Sequence, residues 1–139
     1  MDIRTVTPRY SVTPQIAPED IGAIKAAGFT KVICNRPDAE NPPELQAAAM
    51  EQAVKAEGLD FVSIPLTHQT MTPENITLQE EAVASAEGPV LAYCASGTRC
   101  TVIWSLARAA EGMSADEILK TAADAGYDLS GLRPRLEQG

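Results

Sequence analysis

Short apolar runs alternate along the chain with longer amphipathic stretches, which predicts an α/β layer fold with parallel strands. Residues 9–12 read as a short first strand. Pro18-Glu19-Asp20 opens a helix, its acidic residues placed where the helix dipole favours them. Ile21, Ile24 and Ala27 form the apolar face of that helix, and Gly28 ends it. Thr30 to Cys34 is a second strand and Asn35-Arg36-Pro37-Asp38 a turn. A long Ala-, Gln- and Glu-rich helix is expected over 43–57, closed by Gly58. Phe61 to Ile64 is a third strand, stopped by Pro65, and 67–72 is a polar loop. Thr72 caps a helix over 73–86, with Glu74 in its first turn. Val90 to Tyr93 is a fourth strand that runs directly into Cys94. The stretch 100–109 is apolar on most sides and predicts a buried central helix. Ser114 with Glu117 makes a capping box for the next helix, which Gly126 ends, and a short helical piece follows Leu129.

At 139 residues, the chain has the length of one ordinary domain and is read as a single domain over 1–139. Hydrophobic residues make up 45% and charged residues 22%, enough to bury a core without disulfide or metal staples. The net charge of -8 argues against nucleic acid or an anionic membrane as partner. It leaves room for a small anionic substrate, because a local nest of N–H groups and one arginine can oppose the global field. No run approaches the roughly 18 apolar residues of a membrane span. Met1-Asp2-Ile3-Arg4 lacks the basic-then-apolar pattern of a signal peptide, so a cytoplasmic protein is expected. Three cysteines, an odd count, argue against a structural disulfide framework.

The chemistry concentrates in Cys94-Ala95-Ser96-Gly97-Thr98-Arg99, between an apolar strand and an apolar helix. Loop N–H groups in such a strand–loop–helix segment can converge into an anion nest, and the helix adds its positive dipole end. Arg99 offers a planar fork that bonds two anion oxygens at once. The same positive surroundings stabilise a Cys94 thiolate. Gly97 lets the loop curl tightly. Nucleophile, oxyanion donors and cation thus come from adjacent residues.

Cys94-x-x-Gly97-x-Arg99 after a strand resembles the phosphate-binding loop of cysteine-dependent protein tyrosine and dual-specificity phosphatases. More narrowly, Asn35-Arg36-Pro37-Asp38, Ile64-Pro65-Leu66 and the Cys94–Arg99 loop resemble the bacterial beta-lactamase hydrolase-like phosphatase-like domain, also described as a sulfur transferase. This resemblance spans about residues 5–125. It implies a protein tyrosine phosphatase-like three-layer α/β/α fold with a four-stranded parallel sheet in the order 1-4-2-3. Relatives of the domain can be fused to a metallo-β-lactamase-like module, whose tandem His/Asp motifs this chain lacks.

Two departures from the phosphatase pattern bear on the chemistry. Four residues separate Cys94 from Arg99, one fewer than in phosphatases and matching rhodanese-type sulfurtransferases. His68 stands where dual-specificity phosphatases usually carry a general-acid aspartate. A histidine can act as an acid near neutral pH; Asp38 is the alternative acid, or the acid is absent. Cys100 stands where phosphatases place a hydroxyl, and Cys34 ends the second strand. Either thiol is a candidate to resolve an oxidised or persulfidated Cys94.

The expected function is therefore cysteine-nucleophile catalysis on a small anionic group, with loop length favouring sulfur transfer through a Cys94 persulfide. In that case the substrate is a persulfide or thiosulfate, and a persulfide-metabolising enzyme is a candidate partner. The alternatives are phosphoester hydrolysis through a phosphocysteine, and a non-catalytic anion-binding or redox-sensing module. No cofactor is expected. The cysteine and histidine spacings show no zinc pattern, so no metal is expected either.

Overall fold

The computed structural model describes residues 1–138. Five strands form one mixed sheet: β1 (Arg4–Thr7), β2 (Tyr10–Thr13), β3 (Lys31–Cys34), β4 (Asp60–Ser63) and β5 (Val90–Tyr93), in the spatial order β1-β2-β5-β3-β4. The four-stranded all-parallel sheet, order 1-4-2-3, is thereby overturned. The sheet has a fifth strand, β1, which pairs antiparallel with β2 across the hairpin at Pro8-Arg9. The physical reason it escapes the pattern is its sparse burial, since all five strands are four residues long. Of Arg4-Thr5-Val6-Thr7, only Val6 is buried, so four residues at a sheet edge carry almost no apolar alternation.

The interior strands have no such ambiguity. Every residue of β2, β3 and β5 is buried, as strands covered on both faces must be. Helices α1 (Ile21–Ala26) and α2 (Ala47–Ala56) cover one face, closing a core of Ile21, Ile24, Val32, Met50, Val54 and Leu91. Helices α3 (Pro73–Ala84), α4 (Thr98–Ala110), α5 (Ala115–Asp124) and α6 (Arg133–Gln138) cover the other, around Val12, Ile33, Ala92, Ile103 and Ile118. Among the described residues, no helix is long and apolar enough to cross a membrane.

The long helix expected over 43–57 is broken at its start. Pro43–Leu45 forms a separate 3-10 turn, and Gln46 is extended with ψ 164. The Asp38 carboxylate accepts the Ala47 N–H at 2.8 Å, satisfying a first-turn donor of α2. The cap residues of the next helices do what their types dictate. Thr72 Oγ1 accepts the Asn75 N–H and Ser114 Oγ the Glu117 N–H, each at 3.2 Å.

Register brings the chemistry to one edge. Thr13, Tyr93, Cys34 and Ser63 end their strands side by side, so the loops after β2, β5, β3 and β4 emerge together. Carboxyl ends of parallel strands are where open α/β sheets place ligand sites. A buried polar chain ties this edge together. Asn35 exchanges amide hydrogen bonds with Gln79 at 2.9 Å, Gln79 donates to the Tyr10 hydroxyl at 3.1 Å, and that hydroxyl donates to the Cys100 carbonyl at 2.7 Å. Asn35, Gln79 and Tyr10 therefore satisfy one another, and α3 is tied to the first turn of α4.

Candidate active site

Strand β5 delivers Cys94 to the centre of the sheet edge, where the residue is fully buried. Its sulfur accepts the Gly97 N–H at 3.1 Å. Gly97 has φ 91, the left-handed conformation that lets the chain fold back over the sulfur before α4 begins. The Cys94 thiol is pulled down to about 5. The Cys100 thiol hydrogen bond is the largest cause; burial opposes it, and the N–H groups of Cys100, Ser96 and Gly97 add to it. Cys100, itself fully buried, is pushed well up by burial first and by its bond to Cys94 second. Both directions favour the proton on Cys100 and the negative charge on Cys94. Removing that donor in Cys100→Ala is expected to raise the Cys94 value by about one unit, the worth of one hydrogen bond to a charged group. Cys100→Ser, which keeps a donor, is expected to shift it less. Ultraviolet absorbance of the thiolate against pH checks both.

Arg99 leaves the first turn of α4 and is held from two sides. One terminal nitrogen donates to Glu40 Oε2 at 2.8 Å and to the Leu66 carbonyl at 2.9 Å, and the other donates to Glu40 Oε1 at 2.7 Å. Glu40 is lowered, chiefly by the Arg99 hydrogen bond, and Arg99 is raised, chiefly by Glu40. Arg36 also binds Glu40, through Nε at 3.3 Å, and reaches Gln15 Oε1 at 3.2 Å. A carboxylate therefore already occupies much of the anion-binding fork. In Glu40→Gln, a negative charge about 5 Å from a bound oxyanion is removed, worth about 0.8 kcal/mol at the dielectric of water, or about fourfold tighter binding of inorganic phosphate. Calorimetry at low ionic strength checks this. An unchanged or weaker affinity would mean that Glu40 serves mainly to aim Arg99.

The remaining sequence-selected residues separate. Exposed His68 lines a cleft of about 370 Å³ together with Thr67, Ser96, Thr98, Arg99 and Glu40. Through His68 and Thr98 this cleft continues into a groove with an apolar floor of Met71, Val102 and Leu129. Ala95, Ser96 and Thr98 belong to the loop itself, where the Ser96 and Thr98 hydroxyls share a hydrogen bond at 2.8 Å. Asp38 is exposed, spends its carboxylate on the α2 N-terminus and does not line the cleft. Cys34 lies in the core on the opposite face of the sheet from Cys94 and Cys100, its thiol donating to the Arg36 carbonyl at 3.4 Å. All three cysteines are free thiols. Among the described residues, no three His, Cys, Asp or Glu side chains are grouped to hold a metal ion. A larger cavity, about 510 Å³, opens by Pro8, Val83, Trp104 and Arg108 near the start of β2. No cysteine lines it, whereas Ser96, Thr98 and Arg99 of the loop line the smaller cleft.

Sequence reasoning missed Glu40, Gln15 and Tyr127. Glu40 carried a faint signal, since it lies four residues beyond Arg36, just past the Asn35–Asp38 turn already singled out. Gln15 and Tyr127 carried none, because each meets the loop only through the fold.

The comparisons agree with this geometry. A model of the family described as "Beta-lactamase hydrolase-like protein, phosphatase-like domain" matches residues 2–111. The beta-lactamase hydrolase-like protein of Agrobacterium fabrum is 31% identical over 134 residues, which cover 96% of this chain and 31% of that protein. A Xylella fastidiosa counterpart is 28% identical, with 93% and 30% covered, so the chain spans about a third of the length of these curated relatives. The crystal structure of a candidate phosphatase from Neisseria meningitidis is 35% identical, with a TM-score of 0.89 over 99% of this chain and 98% of that one. The core catalytic domain of a Saccharomyces cerevisiae PP-IP phosphatase, 15% identical, shares the fold at a TM-score of 0.73 over 99% and 84% of the two chains. Similarity that runs nearly the whole length of the chain, with the family model covering both the strand that ends at Cys94 and the helix that begins beside Arg99, places this protein in the beta-lactamase hydrolase-like phosphatase-like domain family.

Proposed function

We propose that the protein is a cysteine-dependent phosphomonoesterase, and that phosphoester hydrolysis takes the place of the sulfur transfer that loop length alone favours. The persulfide or thiosulfate substrate, and with it a persulfide-metabolising partner, gives way to a phosphoester. The observation that carries the reading is the Cys94 sulfur, favoured as a thiolate by Cys100 and by loop N–H groups, directly beneath a loop whose Ser96, Thr98 and Arg99 line the cleft. Kinship with a candidate phosphatase at 35% identity supports it.

In this reaction the Cys94 thiolate attacks phosphorus. An S–P bond forms, the P–O bond to the leaving group breaks, and a proton from the His68 imidazolium neutralises the departing oxygen. Arg99 and the loop N–H groups hold the phosphoryl oxygens through the transition state. Water then attacks phosphorus and gives a proton to the His68 imidazole, the S–P bond breaks, and Cys94 returns as thiolate. The leaving group extends over the apolar floor beside His68. If His68 is the acid, His68→Asn slows esters with poor leaving groups by about 10²-fold and scarcely affects nitrophenyl phosphate, whose leaving group needs no proton. Equal loss on both esters would remove His68 from that role.

Parallel assays test the proposal: phosphate release from nitrophenyl phosphate, and thiocyanate formation from thiosulfate and cyanide, each against Cys94→Ser as blank. Turnover in the first assay only is the expected result. Turnover in the second only restores sulfur transfer, and turnover in neither rejects both.

A further inference from the structure

The loop N–H groups point inward because something on the outside holds their peptides. A trans peptide directs its C=O and N–H to opposite sides of one plane, so anchoring the carbonyl aims the N–H. The Ser96–Gly97 peptide is held in this way at both ends. Its carbonyl accepts a hydrogen bond from the Tyr127 hydroxyl at 3.0 Å, and its N–H donates to Cys94 Sγ at 3.1 Å. The preceding peptide repeats the arrangement: the Ala95 carbonyl accepts the Gln15 N–H at 3.3 Å, and the Ser96 N–H turns toward Cys94.

We propose that Tyr127 is a positioning residue for the anion loop, its hydroxyl pinning the Ser96 carbonyl outward so that the Gly97 N–H faces the thiolate and the incoming oxyanion. The site is shaped for that hydroxyl. A β-carbon on Gly97 would collide with it, so the glycine leaves space that the tyrosine fills. Tyr127 is itself held in place. Its backbone N–H donates to Ala122 at the end of α5 at 2.9 Å. Arg4, from the antiparallel edge strand β1, lies 5.9 Å from the centre of the ring and donates to the Ala125 carbonyl at 3.2 Å. Two segments far apart in sequence thus brace the outer wall of the loop, and Tyr127 falls outside the residues that match the family model.

The inference rests on reading the loop as a thiolate and oxyanion cradle, but not on which ester is cleaved, so its test needs no turnover. The Cys94 thiolate is titrated by ultraviolet absorbance, with Cys94→Ser as blank, and inorganic phosphate binding is measured by calorimetry. Tyr127→Phe keeps the ring and removes only the donor. Losing one fixed dipole at a charged sulfur is expected to raise the Cys94 midpoint by about half a unit to one unit and weaken phosphate binding by about three- to tenfold. Arg4→Met keeps the hydroxyl but frees the ring, and should move both readings the same way by less. It also serves if Tyr127→Phe fails to fold. A folded Tyr127→Phe with unchanged midpoint and affinity overturns the proposal, as does an unfolded one accompanied by a folded Arg4→Met that shifts neither. Should the phosphatase assay fail while the Tyr127→Phe midpoint still rises, the positioning role stands and only the choice of reaction falls.

Discussion

Cys94→Ser is expected to lower phosphoester turnover by on the order of 10⁴-fold or more, the scale seen when a covalent nucleophile is removed. The argument is ionisation. The cysteine is held as a thiolate with a value of about 5, so it is charged at neutral pH. A serine hydroxyl at the same buried position stays protonated, because its intrinsic acidity is far weaker than a thiol's. Oxyanion binding should survive, because Arg99 and the backbone N–H groups are untouched and a buried negative charge is gone. Phosphate affinity by calorimetry is therefore expected to hold or tighten while phosphate release stops, and turnover within tenfold of the parent would reject Cys94 as nucleophile. The same charge predicts a stability signature. Between about 5 and the unfolded thiol value of about 8.5, the unfolded chain binds the proton that the folded chain has released, so this group's contribution to stability rises with pH across that window. It is fully present above the window and lost as pH falls through about 5. Thermal melts across that range should show a component that Cys94→Ser lacks.

Arg99→Lys is expected to cost about 10² to 10³ in kcat/KM, the scale of losing oriented donors at a developing charge. Arg99 serves three acceptors at once: both oxygens of Glu40 and the Leu66 carbonyl. Its planar fork meets these and still presents N–H groups to a ligand, whereas an ammonium is a single point charge that Glu40 would capture. The melting temperature should move little, since the Glu40 end of this pair is exposed. The two changes should also be non-additive. Adding Glu40→Gln to Arg99→Lys releases the ammonium toward the ligand and should recover part of the loss, which a double-mutant cycle on kcat/KM measures. Additive losses would mean that the carboxylate and the cation act independently.

The interior strands were legible because a strand buried on both faces must be apolar throughout, as Val32-Ile33-Cys34 and Val90-Leu91-Ala92-Tyr93 are. Helix α4 was legible for the same reason, with nine buried residues among its thirteen. The edge strand β1 was not, since an edge needs little burial, and the all-parallel sheet failed on that strand alone. The start of α2 was misplaced because Asp38, read as a candidate acid, supplies its first-turn hydrogen bond instead.

The sequence by itself determined the strand–loop–helix segment from Cys94 to Arg99, proposed here as the nucleophile loop. Cysteine, glycine and arginine are consecutive enough that strand, turn and helix geometry brings them together wherever the segment folds. The anion-binding role proposed for it rests on covalent spacing and local backbone conformation. Only the tertiary structure decided how the loop is tuned. Glu40 reaches Arg99 from 59 positions away, Tyr127 reaches Ser96 from 31, and Gln15 meets Ala95 across the sheet edge. The sheet itself also chose between the spare thiols, keeping Cys100 on the Cys94 face and Cys34 on the other. Such contacts depend on strand order and register, which separated segments acquire only when they pack into one core.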